Sequence, residues 1–277
     1  MNPDDYCRQK AIADASSLHY ALLFLAPERR AALTALCAFS KELREVVDQV
    51  TDGHVARTKL AWWRMEIGKL VEGNPSHPVM QALRPHIGEA GIRAELLNQV
   101  IDAMELDLAQ TRYLEFTGLS RYCELASGAP AVAAARVLGW TNPRTSEYAT
   151  NLGIALQLTR IIRDVDAHAR QNRIYLPMDE LRQFDVSAAD VLQSRHSDNF
   201  AKLMAFQARR AETFFGKAIG LLPAEDRRAQ RAGLIMAALQ RATLAEVERD
   251  GFRVLTHRTS LTPLRKLWLA WKTWVIA

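Results

Sequence analysis

The sequence predicts an all-α protein folded as one domain, and three observations carry that expectation. Apolar residues recur with helical period almost from end to end. Ala, Leu, Arg and Glu dominate, and all four favour helix. Runs rich in Val, Ile and Thr with period-two alternation, the mark of strands, are nearly absent. Hydrophobic residues make up 49% of the 277 positions, enough for a sizeable core and too many for a disordered chain. No internal repeat, low-complexity tract or linker divides the chain, so a single domain over residues 1–277 is the economical reading.

Taken in order, the periodicity places helices at residues 4–14, 17–25, 28–50, 55–72, 77–89, 93–111, 117–138, 143–168, 187–194, 197–221, 225–250 and 261–276. Pro27 opens the third, where a missing N–H costs nothing. Gly73, Asn74 and Pro75 end the fourth, Gly139 to Pro143 separate the seventh from the eighth, and Asp250-Gly251 end the eleventh. The longest irregular stretch is expected from Arg170 to Phe184.

A net charge of +5 and a pI near 9.2 favour acidic partners such as phosphates, diphosphates or an anionic membrane surface. Nucleic acid is not expected, because the basic residues are spread out with acids between them. The one basic cluster, Arg227, Arg228 and Arg231, reads as a solvated loop and helix start. Cys7, Cys37 and Cys123 fit no zinc or redox spacing, which suggests free thiols in a reducing, cytoplasmic setting. The N-terminal residues lack the basic and apolar regions of a signal peptide. No apolar run reaches the ~18 residues of a membrane span, so any membrane contact is expected to be peripheral, on the inner face.

Charged groups on an apolar helix are costly to bury unless they bind something or each other. The longest such stripe is Gln157, Arg160, Asp164 and His168, spaced by three or four and therefore on one face. It reads either as a polar wall inside a helical cavity or as internal ion pairs, since Asp164 lies four residues from both Arg160 and His168. Glu45 and Asp48 share a face late in another apolar helix. They read as half of a magnesium–diphosphate site or as a surface face with an Arg44–Asp48 pair. Asp102, Glu105 and Asp107 read as an acidic wall or an exposed face. Near the C-terminus Leu264, Trp268, Trp271 and Trp274/Val275 share a face flanked by Arg265, Lys266 and Lys272. Tryptophans beside basic residues suit a peripheral membrane contact. The alternative is a helix docked on the core or on a partner subunit.

In their order and spacing, several segments make the chain resemble the squalene/phytoene synthase family over nearly its whole length. They are Ser16 to Tyr20, Leu23 to Arg30, Ala35 to Phe39, Ala56 to Arg64, Asp102 to Asp107, Tyr122-Cys123, Arg163-Asp164, Arg173 to Pro177, Gly233 to Met236 and Ser260 to Trp268. Within the family the resemblance runs to the presqualene diphosphate synthases of bacterial hopanoid pathways. It implies an isoprenoid-synthase-type helical bundle around a central apolar cavity, with two Asp-rich helices at its mouth holding Mg²⁺ against the substrate diphosphates. It also implies head-to-head condensation of two farnesyl diphosphates. Carried over position by position, Asp48, Asp164 and Tyr122 become catalytic candidates. Ser17, Arg44, Gln157, Arg160, Arg163, Arg173 and Tyr175 become substrate-binding candidates, and Glu45, Asp48, Asp164 and His168 metal-binding ones.

The sequence departs from the family pattern where the metal would sit. The first motif, Asp-Asp-x-x-Asp in the family, here runs from Arg44 and Glu45 to Asp48. In the second, Arg160 stands at an Asn position, and Ala167 and His168 replace Glu and Asp. Cys37 replaces a Tyr, and a Val-Ala-Gly-x-x-Gly segment reads Ala126 to Ala131. Arginine beside Mg²⁺ is repulsive. Arg44 and Arg160 therefore either pair with Asp48 and Asp164 or hold phosphate directly in place of metal. Three functions stay open: a condensing enzyme with altered metal dependence, a protein that binds a prenyl diphosphate or another apolar lipid, and a partner or assembly protein that keeps only the fold.

Overall fold

Capping chemistry opens several helices near where the sequence places them. In a computed structural model, which describes residues 1–12, 16–50, 52–89 and 91–277, α1 (Pro3–Ala11) is capped by Asn2 and α2 (Ser17–Leu22) by Ser16. Residues 13 and 14 of the expected first helix lie outside the described residues. Pro27 is the first residue of α3 (Pro27–Gln49). Asp52 caps α4 (Gly53–Glu72), which ends at Gly73 with φ +86°, a conformation glycine adopts freely. The fifth helix, α5 (Pro78–Leu83), is shorter than expected and tightens into a 3₁₀ turn at Arg84–His86. Next comes α6 (Ala94–Ala109).

Two expected helices are interrupted, and both interruptions shape the site. Residues 117–138 divide into α7 (Phe116–Cys123), a π-helical turn (Glu124–Gly128) and α8 (Ala129–Leu138). The π turn lies against α9 (Arg144–Arg163) at Gly153, where an added Cβ would run into the backbone of Ser127 and Gly128. The close approach lets the Ser127 hydroxyl donate to Gln157 Oε1 at 2.8 Å. Gly153→Ala is therefore expected to push the two elements apart and to lower stability by about 1–3 kcal/mol in urea unfolding. Unchanged stability would mean that the backbone absorbs the methyl group.

The second interruption falls at Asp164 (φ −105°, ψ 21°), which separates α9 from α10 (Val165–Arg170). The stretch expected to be irregular contains a short helix, α11 (Met178–Gln183). The chain continues through α12 (Ala188–Leu192), α13 (Asp198–Leu221), α14 (Arg231–Arg249) and α15 (Pro263–Ile276). The expected helix at 225–250 starts late, because Ala224–Asp226 form a 3₁₀ turn.

Among the described residues there is no strand, only the isolated bridges Ile87–Ile92 and Arg112–Ile174. Helix α9 runs through the centre. It packs most extensively on α13 and also contacts α8, the π turn and α14. The main core includes Phe39, Leu43, Leu60, Ile67, Leu97 and Ile101, each essentially buried and each contributing about 1.5–3 kcal/mol by leaving water. Asp226 is buried and satisfied, accepting from the Thr141 and Asn142 amides and the Thr141 and Thr145 hydroxyls. All three cysteines are free thiols. Among the described residues no helix is long and apolar enough to cross a membrane.

Candidate functional site

An apolar cavity of about 460 Å³ opens between α2, α3, α8, α9 and α14. Leu22, Leu36, Ala134, Leu152, Leu156 and Met236 supply apolar wall, while Ser17, Ser40, Arg44, Gln157, Arg160 and Arg163 supply polar groups. Its size lies in the range of about 300–1,000 Å³ usual for small-molecule sites. On the far side of the arginines lies a polar cleft of about 510 Å³ lined by Asp48, Asp164, Asp166, His168 and Arg258, and Arg160 and Arg163 face both spaces. A narrow gap beside them is bordered by Arg44, Asp48, Asp107, Tyr122, His168 and Tyr175. Most of the candidate residues thus gather where the cavity meets the cleft.

The charged stripe is partly paired: Arg160 approaches Asp164 as its spacing suggests, but the tighter partners come from elsewhere. Asp164 accepts from its sequence neighbour Arg163 at 3.1 and 2.9 Å and from Arg258 Nε at 2.9 Å. Burial opposes its charge, yet Arg163 and Arg258 hold its carboxyl down at about 2. Arg160 reaches it only at 4.0 Å. The expected Arg44–Asp48 ion pair does not form among the described residues, and Asp48 is exposed. His168 makes no ion pair with Asp164 among the described residues, and the remote Arg258 supplies a partner instead.

Asp107 is the buried acid of this region. The Tyr175 hydroxyl donates to it at 2.7 and 2.6 Å, and Arg173 Nη1 reaches its carboxylate at 2.7 Å and its carbonyl oxygen at 3.1 Å. Burial pushes its carboxyl up to about 6 in spite of Arg173. Tyr122 stacks on Tyr175 with ring centres 5.4 Å apart, and burial raises its hydroxyl pKa. Asp102 and Glu105, by contrast, take the exposed-face reading and bind Arg64 at 2.6 and 2.9 Å.

His168 sits edge-on to Tyr175, with ring centres 4.7 Å apart. Burial, and then the Arg160 cation, lower its pKa to about 4, so the ring is neutral at pH 7. An unfolded histidine takes up its proton near 6.5. Between pH 6.5 and 4 the unfolded chain therefore binds the extra proton, and stability falls as the pH falls. Asp107 works in the opposite sense, because its raised pKa lets the folded chain bind the proton first below about 6. His168→Gln removes only the first effect. In thermal melts at pH 7 and 4.5 this variant is expected to lose less stability in acid than the parent. An equal loss would contradict the assignment.

The residues present do not fit the magnesium that the family resemblance implies. Glu45 and Glu42 both pair with Lys10, the latter at 3.0 Å. Asp164 is held by two arginines, and His168 lies beside Arg160. Among the described residues no group of three or more His, Cys, Asp or Glu side chains is placed to hold a metal ion. The four metal-binding candidates are thus not assembled as a metal site.

Arg44 makes no hydrogen bond or ion pair among the described residues. Burial, then the nearby Arg160 cation, lower its pKa to about 10, so it remains charged at neutral pH. Sequence reasoning missed Arg258, which lies in the non-periodic stretch before α15 and carries no local signal. It also missed Ser127 as the partner of Gln157, a contact that depends on the π turn.

The C-terminal helix docks on the core by one face and leaves the other exposed, and Trp274, expected on one face with Trp268 and Trp271, lies on the docked side. Trp274 stacks on Phe24 at 5.3 Å and lies under Arg231, and Ala270 is buried. On the outer side Leu264, Leu267, Trp268, Trp271 and Val275 are exposed. Lys272 lies over the Trp268 ring at 4.9 Å, and Arg265 pairs with Glu246.

Residues 13–265 match the squalene/phytoene synthase family profile. The chloroplast phytoene synthase 1 of Arabidopsis thaliana is 30% identical over 273 residues, covering 95% of this chain and 64% of that protein. The phytoene synthase of Arthrospira platensis is 29% identical over 279 residues, covering 95% of this chain and 89% of its own. The chain spans 64–65% of the length of the Arabidopsis, Oncidium and Narcissus relatives. Among solved structures, a dehydrosqualene synthase in complex with ligand superposes with a TM-score of 0.80 at 19% identity, covering 98% of this chain and 95% of that one. The squalene synthase HpnC from Alicyclobacillus acidocaldarius gives 0.77 at 21% identity, covering 90% and 94%. At such identities the likeness speaks to the fold, and the expected isoprenoid-synthase-type all-α bundle is the one found.

Proposed function

The chain belongs to the squalene/phytoene synthase family, and from that premise we propose that residues 1–277 form one domain that binds an isoprenoid diphosphate of the farnesyl diphosphate type. One observation carries the reading: an apolar cavity of about 460 Å³ has Arg44, Arg160 and Arg163 in its wall. Its apolar walls and its arginines match the two parts of such a molecule, a hydrocarbon chain and an anionic head. The apolar walls exclude water from the chain. The guanidiniums offer charge-assisted hydrogen bonds to phosphate oxygens. The names of the relatives, which are phytoene, squalene and dehydrosqualene synthases, support an isoprenoid ligand.

Head-to-head condensation to a presqualene diphosphate or squalene-type product is the activity that resemblance suggests. The pairing of Glu45 with Lys10 and of Asp164 with Arg163 and Arg258 favours a protein that binds with little turnover. The test is a thermal melt with farnesyl diphosphate, followed by product extraction from the same tubes. Ligand at 100 times its Kd stabilises by about 2.7 kcal/mol, which a melt resolves easily. The expected result is stabilisation with at most a trace of thirty-carbon product. Rapid formation of that product would establish a condensing enzyme. Absence of any stabilisation would leave the partner-protein reading.

We also propose that the outer face of α15 rests on an anionic membrane surface, because exposed Trp268 and Trp271 sit beside Lys272. Flotation with phosphatidylglycerol vesicles should carry the protein upward, and Trp268→Glu with Trp271→Glu should abolish this. Equal flotation of the variant would refute it.

A further inference from the structure

We infer that Arg44 and Arg160 hold the ligand's diphosphate directly, making binding independent of divalent cations. The inference rests on the isoprenoid-diphosphate reading above and assigns its head-group site.

The cations around the mouth are not equivalent. Arg163 and Arg258 are committed to Asp164, Arg173 to Asp107, and Arg170 to Asp166 at 2.7 Å. Those pairs hold the wall in place and leave few donors free. Arg44 and Arg160 stand apart. Arg44 has no acceptor among the described residues, and Arg160 has only a 4.0 Å approach to Asp164. Asp48, the nearest acid without a tight partner, forms no ion pair with either among the described residues. Two partly buried guanidiniums that line the same cavity and the same narrow gap are mutually repulsive. Such an arrangement is unfavourable until an anion lies between them.

The surroundings say which anion. Both arginines line the apolar cavity, so the anion is the head of a molecule with a hydrocarbon tail. Each guanidinium presents a planar fork that suits two phosphate oxygens, and a diphosphate has enough oxygens for both forks. Gln157 borders the same point. Its carbonyl oxygen accepts from Ser127, which turns its amide N–H groups toward other acceptors. At the positions where the family pattern has a carboxylate and an amide, this chain has two fixed cations. They supply charge that a bound metal would otherwise bring.

The test is calorimetric titration of the full chain with farnesyl diphosphate, once in EDTA and once in Mg²⁺, with farnesol as the uncharged comparison. The Kd values in EDTA and Mg²⁺ are expected to agree within about threefold. Arg44→Gln and Arg160→Gln are each expected to weaken farnesyl diphosphate by at least about tenfold while leaving farnesol unchanged, and Arg44→Lys should recover part of the loss. Binding that appears only with Mg²⁺ would overturn the inference and leave the isoprenoid reading standing. So would farnesol binding with no gain from the diphosphate. Failure of both ligands to bind under either condition would remove the isoprenoid reading itself. If Arg44→Gln does not fold, the EDTA and Mg²⁺ titrations of the unaltered chain decide the matter alone.

Discussion

Replacing Arg44 with Asp, Arg160 with Asn and His168 with Asp in one chain is expected to weaken metal-free binding of farnesyl diphosphate by about 10²–10⁴-fold. The figure follows from losing two hydrogen-bonding partners of charged groups at about 1.5–3 kcal/mol each. The same changes turn a cationic mouth into an anionic one, with new carboxylates at positions 44 and 168 beside Asp48 and Asp164. What binding remains should then depend on Mg²⁺, because an anionic site repels a diphosphate unless a cation bridges them. Titration of the variant with and without Mg²⁺ checks both parts. Undiminished metal-free binding would mean that the apolar cavity alone holds the ligand. A weak variant that ignores Mg²⁺ would mean that the cavity no longer positions a head group near these residues.

The largest effect on stability is expected from Asp107. Its carboxylate is nearly fully buried and is the shared partner of Arg173 and the Tyr175 hydroxyl. Asp107→Leu leaves a guanidinium that is only 11% exposed without its counter-charge, and breaking a buried pair this way costs about 3–5 kcal/mol. Urea unfolding measures it. Adding Arg173→Met should return much of the loss, because an apolar pair no longer strands a charge. A loss below about 1 kcal/mol for the single variant would show that water reaches Arg173 and takes over its hydrogen bonds. Because Tyr175 packs on both Tyr122 and His168, the same substitution should loosen the floor of the gap beside the arginines.

The helical class was legible because it depends on local periodicity, and α3, α4, α6, α13 and α15 fall close to their expected bounds. Short elements escaped for the same reason. Helix α11 has six residues, too few to display a period. The π turn at Glu124–Gly128 follows from Gly153 on another helix, and nothing within residues 117–138 announces it. The candidate site was legible as a set of residues, since the stripe on α9 and the end of α3 do meet. Its pairing was not. Spacing by four suggested Arg44–Asp48, which does not form among the described residues, and Arg160–Asp164, which is held only at 4.0 Å, while the fold brings Arg258 from 94 positions away onto Asp164 and Lys10 onto Glu45. Local rules nominate partners worth a few tenths of a kcal/mol, and a partner brought in by tertiary packing displaces them. Asp107 shows the converse. It was one of three acids on a helix with no sign of which would turn inward, and only Arg173 and Tyr175 mark it as the buried one.

The measurement that tests the central claim most directly is a crystal structure of the protein with the thiolo analogue of farnesyl diphosphate, grown with Mg²⁺ present. Diphosphate oxygens are expected about 2.7–2.9 Å from the Arg44 and Arg160 guanidinium nitrogens, the hydrocarbon chain among Leu36, Leu152 and Leu156, and Asp164 still bound to Arg163 and Arg258. An octahedral metal bridging the diphosphate to Asp48 or Asp164, with the Asp164–Arg258 pair broken, would contradict that claim.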